Sequence, residues 1–233
     1  MKPRICVSLP AKNFSNLVSM IHRAEDMGAD LIEVRLDFLK FKNLKASDIF
    51  GKIVDQASVP LIATNRQLEQ GGRRNQREDF RVQTLIKAAE AGFEYIDIEL
   101  TTADLKGTIQ KLREKSAKPI VSFHDFEKTP AEAEMEQIVK LQVDAGAEVC
   151  KFITTANDIS DNIRCLELTK KMSHVTKIVC FAMGRTGILS RILSPLYGAF
   201  FTYAALRGEL ETASGQISIA ELRRLYRKLG VLE

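Results

Sequence analysis

Eight times along this chain a short run of β-branched and other apolar residues gives way to a longer amphipathic stretch. The strand-like runs fall at residues 4–9, 31–36, 61–64, 95–100, 120–123, 149–153, 177–182 and 199–204. Helical periodicity follows each of them, over 13–27, 45–56, 78–91, 103–115, 130–145, 159–172, 187–196 and 218–229. Spread over 233 residues, eight units take about 29 residues each, the size of a βα repeat. Near-continuous apolar strands separated by helices indicate a parallel sheet covered on both faces. With eight units and no linker, the expectation is one (β/α)8 TIM barrel, an α/β single domain over residues 1–233. A dinucleotide-binding fold would need G-x-G-x-x-G after the first strand, where this chain has Leu9-Pro10-Ala11-Lys12.

Two echoes support a repeated architecture. Gly28, Gly92 and Gly146 each stand between a helix and an even-numbered strand, where glycine suits the left-handed end of a helix. Pro60 and Pro119 stand at the starts of strands three and five, where proline is tolerated. Hydrophobic residues make up 45% of the chain, enough for a large core, and no apolar run approaches the roughly 18 residues of a membrane span. The first residues run straight into a strand without a signal-peptide pattern, so the expected location is cytoplasmic. The net charge of +4 suits a small anion and is too weak to argue for nucleic acid. The densest basic stretch, Arg73, Arg74, Arg77 and Arg81, is broken by Glu78 and Asp79 and reads as a solvated loop and helix start. Cys6, Cys150, Cys165 and Cys180 show no C-x-x-C spacing, which points to a reduced protein without a zinc site.

In such a barrel the active site is built at the C-terminal ends of the strands. The polar residues that stand there are Glu33, Arg35, Asp37, Arg66, Asp97, Glu99, His124, Asp125, Lys151, Arg185 and Arg191. Lys151 lies inside Val149-Cys150-Lys151-Phe152-Ile153, a strand buried on both faces. A lysine there must be paired or must lose its proton easily, because desolvation disfavours the charged amine. A neutral amine is a nucleophile that forms Schiff bases with ketones. The alternative is a lysine that reaches out at a strand end or pairs with Glu33. His124, at the mouth of the neighbouring strand, is a general acid/base candidate. Glu33 and Arg35 share one strand face and point into the barrel, either as an ion pair or as partners of a hydroxylated ligand. The small, polar loop over 210–218 has the composition of a lid and equally of a plain connection.

Taken together, Glu33-Val34-Arg35-Leu36-Asp37, Ser122-Phe123-His124-Asp125-Phe126, Lys151, Met183-Gly184 with Ser190-Arg191, and Ala213-Ser214-Gly215-Gln216-Ile217 give a pattern that resembles the type I 3-dehydroquinate dehydratases. The resemblance runs the whole length of the chain. It implies dehydration of 3-dehydroquinate to 3-dehydroshikimate, a step of the shikimate pathway toward aromatic amino acids, with neither metal nor other cofactor. It implies that Lys151 forms the imine at the C3 ketone. His124 would move protons at C2, at the C1 hydroxyl and during imine formation and breakdown. Arg191 would clamp the carboxylate, while Glu33, Arg35, Arg66 and Gln216 would hold ring hydroxyls or the carboxylate, with Ser8 and Thr212 as looser contacts. Dimers are common in the family, and Leu222, Leu225 and Leu229 of the last helix could serve packing or association equally well.

The chain departs from the family at Gln70, which precedes Gly71-Gly72 where an acid is usual. Thr212 replaces a common serine and Ser214 a common proline. The expectation for Gln70 is an uncharged partner that orients His124. A sugar-phosphate aldolase would use the same lysine chemistry, but a phosphate site after strands seven and eight is only half present, in Met183-Gly184-Arg185-Thr186-Gly187. A non-catalytic barrel that binds a hydroxy-acid would keep Lys151 as an ordinary protonated lysine.

Overall fold

The computed structural model describes residues 2–40, 46–206 and 215–232. Its strands are β1 (Ile5–Leu9), β2 (Leu31–Arg35), β3 (Leu61–Thr64), β4 (Tyr95–Glu99), β5 (Lys118–His124), β6 (Val149–Thr155), β7 (Lys177–Met183) and β8 (Thr202–Ala205). The helices alternate with them as α1 (Phe14–Asp26), α2 (Ala46–Val54), α3 (Glu78–Glu90), α4 (Leu105–Glu114), α5 (Glu132–Ala145), α6 (Asp161–Met172), α7 (Ile188–Leu193) and α8 (Ile219–Lys228). All strand pairs are parallel, in the order β7-β6-β5-β4-β3-β2-β1-β8.

This is a nearly closed (β/α)8 barrel. At the seam between β7 and β8 no ladder forms among the described residues. The Phe200 N–H donates to the Ile178 carbonyl at 2.7 Å, and the Phe181 and Tyr203 rings meet edge-on with centroids 6.3 Å apart. Sequence alternation decides which side chains go inside. Ile32 and Val34 face outward into a cluster with Leu17, Ile21 and Ala24 of α1 and Phe50 and Ile53 of α2. Cys6, Leu31, Ile62, Tyr95, Ile120, Val149 and Val179 face inward and fill the floor of the barrel. Two residues further along the first six strands, Ser8, Glu33, Thr64, Asp97, Ser122 and Lys151 occupy the inward positions and are buried. The barrel is therefore apolar at one end and charged at the other, which sets the location of the site.

The glycine echoes hold structurally: Gly28, Gly92 and Gly146 all have left-handed backbone, with φ of 83°, 102° and 97°. The last helix is nucleated by a capping box, in which the Ser218 side chain meets the Glu221 N–H and the Glu221 carboxylate meets the Ser218 N–H. Leu222 is buried in the core, whereas Leu225 and Leu229 face solvent. The four cysteines are buried free thiols. Arg81 corrects the reading of the basic stretch as solvated. It is 1% exposed, because α3 turns it inward between Glu78 and Glu99.

Candidate active site

A cavity of about 330 Å³ opens at the C-terminal ends of the strands, within the size range of small-molecule sites. Glu33, Arg35, Arg66, His124, Lys151, Arg191 and Gln216 all line it, joined by Phe126, Phe181, Met183 and Tyr203. The sequence-derived residues thus converge on one space from β2, the loop after β3, β5, β6, α7 and the loop before α8. Ser8 is wholly buried and absent from this lining. Its hydroxyl donates to Glu33 at 2.5 Å, so it reaches the cavity only through that carboxylate. Thr212 lies outside the described residues, as does most of the loop whose composition suits a lid and a plain connection equally.

Lys151 is 5% exposed and its Nζ is ion-paired. It lies 2.8 Å from Asp97 Oδ2, 3.1 Å from the Tyr203 hydroxyl and 3.5 Å from Glu33 Oε1. Of the two ways of keeping a buried lysine, pairing is the one seen, and the nearer partner is Asp97 rather than Glu33. Its backbone is fixed from outside the barrel by Gln142 of α5. That buried amide donates to the carbonyls of Val121 at 3.0 Å and Lys151 at 2.9 Å.

Asp97 is the hub of the charged layer. Besides Lys151 it meets Arg66 Nη2 at 2.8 Å and accepts from the Ser122 hydroxyl at 2.7 Å. Burial alone would raise its pKa, but Arg66 and Lys151 outweigh it and hold the carboxyl far below the usual range. Arg66 in turn meets Glu99 at 2.9 Å, and Glu99 meets Arg81 at 2.6 Å. The charges therefore alternate in sign from α3 to Lys151.

Glu33 and Arg35 share a face but do not pair with each other. Glu33 accepts from Ser8, from Thr64 at 2.8 Å and from Tyr203 at 3.0 Å. Burial raises its pKa, yet Lys151 and Arg35 bring it below the usual value. Arg35 forms a two-pronged contact with Asp37, at 2.8 and 2.7 Å.

His124 is two residues beyond Ser122, the residue in register with Lys151, so it overhangs the lysine from the adjacent strand. Its ring stacks on Phe126, with centroids 5.8 Å apart and planes 13° apart. Burial, then Arg66 and Lys151, hold its pKa well below the usual histidine value, so the imidazole is neutral near pH 7. The expectation that Gln70 orients this ring is not met. Gln70 closes the short 3-10 turn Leu68–Gln70, no hydrogen bond joins it to His124, and His124 Nδ1 is buried without a partner. Arg191 on α7 is 1% exposed, and its guanidinium lies 4.1 Å from the centroid of the Phe181 ring. Gln216 is carried by Gly215, whose φ is 76° and where an added Cβ would stand 2.4 Å from the Gly184 carbonyl.

Tyr203, Thr64 and Gln142 are not among the residues the sequence singles out, and neither Ser122, quoted only within its motif, nor Asp97 is given a role by it. The signals were available. Asp97 and Glu99 repeat the spacing of Glu33 and Arg35, and Gln142 is a polar residue on the buried face of a helix.

An inward amine at the strand ends, beneath a cavity roofed by a buried arginine and beside a neutral histidine, defines an enzyme equipped for imine chemistry on a small anion. The family model for type I 3-dehydroquinase matches residues 5–233. A 3-dehydroquinate dehydratase from Dehalococcoides mccartyi is 41% identical over 202 residues, covering 87% of each chain. Another, from Desulfotalea psychrophila, is 34% identical over 226 residues, covering 96% of each. The crystal structure of a type I 3-dehydroquinate dehydratase from Clostridium difficile superposes with a TM-score of 0.88 at 26% identity, covering 98% of this chain and 92% of that one. The chain belongs to the type I 3-dehydroquinase family.

Proposed function

We propose that Lys151 and His124 carry the reaction of this 3-dehydroquinate dehydratase, a hydro-lyase of the shikimate pathway. The amine of Lys151 attacks the C3 ketone and water leaves, giving a protonated imine. That imine is an electron sink, so the C2 proton becomes acidic enough for a near-neutral base. His124 takes it, and the resulting enamine expels the C1 hydroxyl with a proton from the same ring. Water then releases 3-dehydroshikimate and restores the amine. The observation that carries this reading is the placement of a buried lysine on β6 and a half-buried histidine on adjacent β5 in the lining of one small cavity.

Arg191 supplies the carboxylate clamp, preset by its stacking on Phe181. Glu33, Arg35 and Gln216 meet ring hydroxyls. Arg66 lines the cavity while it pairs with Asp97 and Glu99, so it fixes the charged layer and still presents donors to the substrate. Ser8 acts through Glu33. Thr212 is a further contact in this reading. The test is to follow conversion of 3-dehydroquinate to the conjugated enone by ultraviolet absorbance. Purified chain should turn substrate over and Lys151→Ala should not; activity in that variant would refute the assignment. Among the described residues, no helix is long and apolar enough to cross a membrane. A cytoplasmic dimer that uses no nucleic acid completes the proposal, with light scattering the check on its mass.

A further inference from the structure

We infer that the Tyr203 hydroxyl is the relay through which Lys151 gives up the proton it must lose before attacking the ketone, with Glu33 as the acceptor. This deepens the imine reading and rests on it. The oxygen of Tyr203 is 3.1 Å from Lys151 Nζ and 3.0 Å from Glu33 Oε1, whereas the direct separation from Nζ to Oε1 is 3.5 Å. Only the two shorter separations fall within the range of a hydrogen bond. All three side chains are buried and line the same cavity, and the two short contacts join them without a gap.

The direction of transfer follows from the hydrogens available. Lys151 has only N–H to give, and the tyrosine hydroxyl accepts one proton while donating its own. Nζ passes a proton to the Tyr203 oxygen as the Tyr203 proton moves to Glu33 Oε1. The products are a neutral amine, an intact tyrosine and a protonated Glu33. No net charge is created, and no tyrosinate forms. A free tyrosinate would be costly, because burial and the Glu33 charge push the phenol well above its ordinary pKa.

Asp97 is closer to Nζ than Glu33, but it is the worse acceptor. Its Oδ2 also meets Arg66, which has only donor hydrogens and cannot accommodate a protonated acid. Glu33 meets the hydroxyls of Ser8, Thr64 and Tyr203, each of which can rotate from donor to acceptor. Glu33 can therefore take a proton without stranding a buried cation. His124 remains free for the later steps at C2 and C1.

The experiment is single-turnover mixing with 3-dehydroquinate, quenched at intervals in borohydride, with the Lys151 adduct measured by mass spectrometry. Tyr203→Phe keeps the ring under the lysine and removes the oxygen. Adduct formation should slow by about tenfold or more at pH 7, a modest share of the 10²–10⁴ typical of proton-transfer groups, while substrate affinity and melting temperature stay close to wild type. Glu33→Gln should slow the same step, and the double variant should be no slower than the slower single, because both act on one path. The wild-type rate should fall along a curve with deuterium content, as two protons in flight require, and Tyr203→Phe should make that dependence linear. Wild-type rates in Tyr203→Phe, or multiplying effects in the double variant, would overturn the relay while leaving the imine intact. A wild-type chain that yields no adduct would overturn the imine reading, and the relay with it.

Discussion

Replacing Asp97 by asparagine removes one charge from the centre of the barrel and keeps the side-chain shape. Two cations lose their partner at once, since Lys151 and Arg66 each lie 2.8 Å from Asp97 Oδ2. At an effective dielectric constant of about 20, each such contact has a gross Coulomb energy of ~6 kcal/mol. Much of this is offset by Glu33 and Glu99, which remain beside the two cations. The net cost of leaving a buried charge uncompensated is about 3–5 kcal/mol. For a chain of this size that lowers the melting temperature by roughly 6–20 °C. Adding salt should recover little of it, because buried pairs are poorly screened. The assay is thermal unfolding by circular dichroism at neutral pH, repeated in Lys151→Met and in the double variant. Removing Lys151 relieves half of the imbalance, so the double variant should be about 1–3 kcal/mol more stable than the sum of the single losses. The wild-type advantage should also depend on pH. Asp97 has its carboxyl pKa lowered on folding, so its contribution is present above the unfolded value of about 3.9 and is lost as pH falls below that toward the folded value. A loss under about 3 °C, or strict additivity in the double variant, would refute the hub role of Asp97.

Arg191→Lys should raise KM for 3-dehydroquinate by about tenfold, because a point charge cannot reproduce a two-pronged carboxylate contact; an equal rise for an analogue without the carboxylate would make Arg191 structural. Since burial lowers the His124 pKa, kcat/KM should stay level as pH falls through 6.5 and decline only well below it. An acid limb at or above that value would contradict a neutral, desolvated ring, and His124→Ala should cost more than the ~10²–10⁴ of a single proton transfer. Gly215→Ala must hold alanine at φ 76° with its Cβ 2.4 Å from the Gly184 carbonyl. It should destabilise by about 1–3 kcal/mol in thermal melts, and it should raise KM by displacing Gln216.

The barrel was legible because its information is local. Each unit announces its strand by an apolar run and its helix by periodicity, and the left-handed turns at Gly28, Gly92 and Gly146 need only the residue in place. The positions of Lys151 and His124 in the cavity were equally legible, since a charge inside an apolar strand and a histidine at the next strand's end are anomalies that single positions reveal. What the sequence withheld is pairing between strands. The face shared by Glu33 and Arg35 could be read from their spacing. The partners of Glu33 could not, because Thr64 and Tyr203 reach it through barrel register, whereas Asp37, two residues on from Arg35, is a local partner. The same holds for Asp97, whose position at a strand end was plain and whose contact with Lys151 crosses 54 residues of chain. Arg81 looked solvated in its basic neighbourhood because nothing local says that α3 turns it toward Glu99. The seam between β7 and β8 likewise depends on how the last strand meets the first and not on any single run of residues.

The central claim is that Lys151 forms the covalent bond to substrate, and reductive trapping tests it most directly. The chain is incubated with 3-dehydroquinate, reduced with borohydride, digested, and mapped by mass spectrometry. The account predicts a single stable adduct on the peptide that carries Lys151, absent without substrate and absent in Lys151→Ala. Undiminished turnover with no adduct, or an adduct on a different lysine, would contradict it.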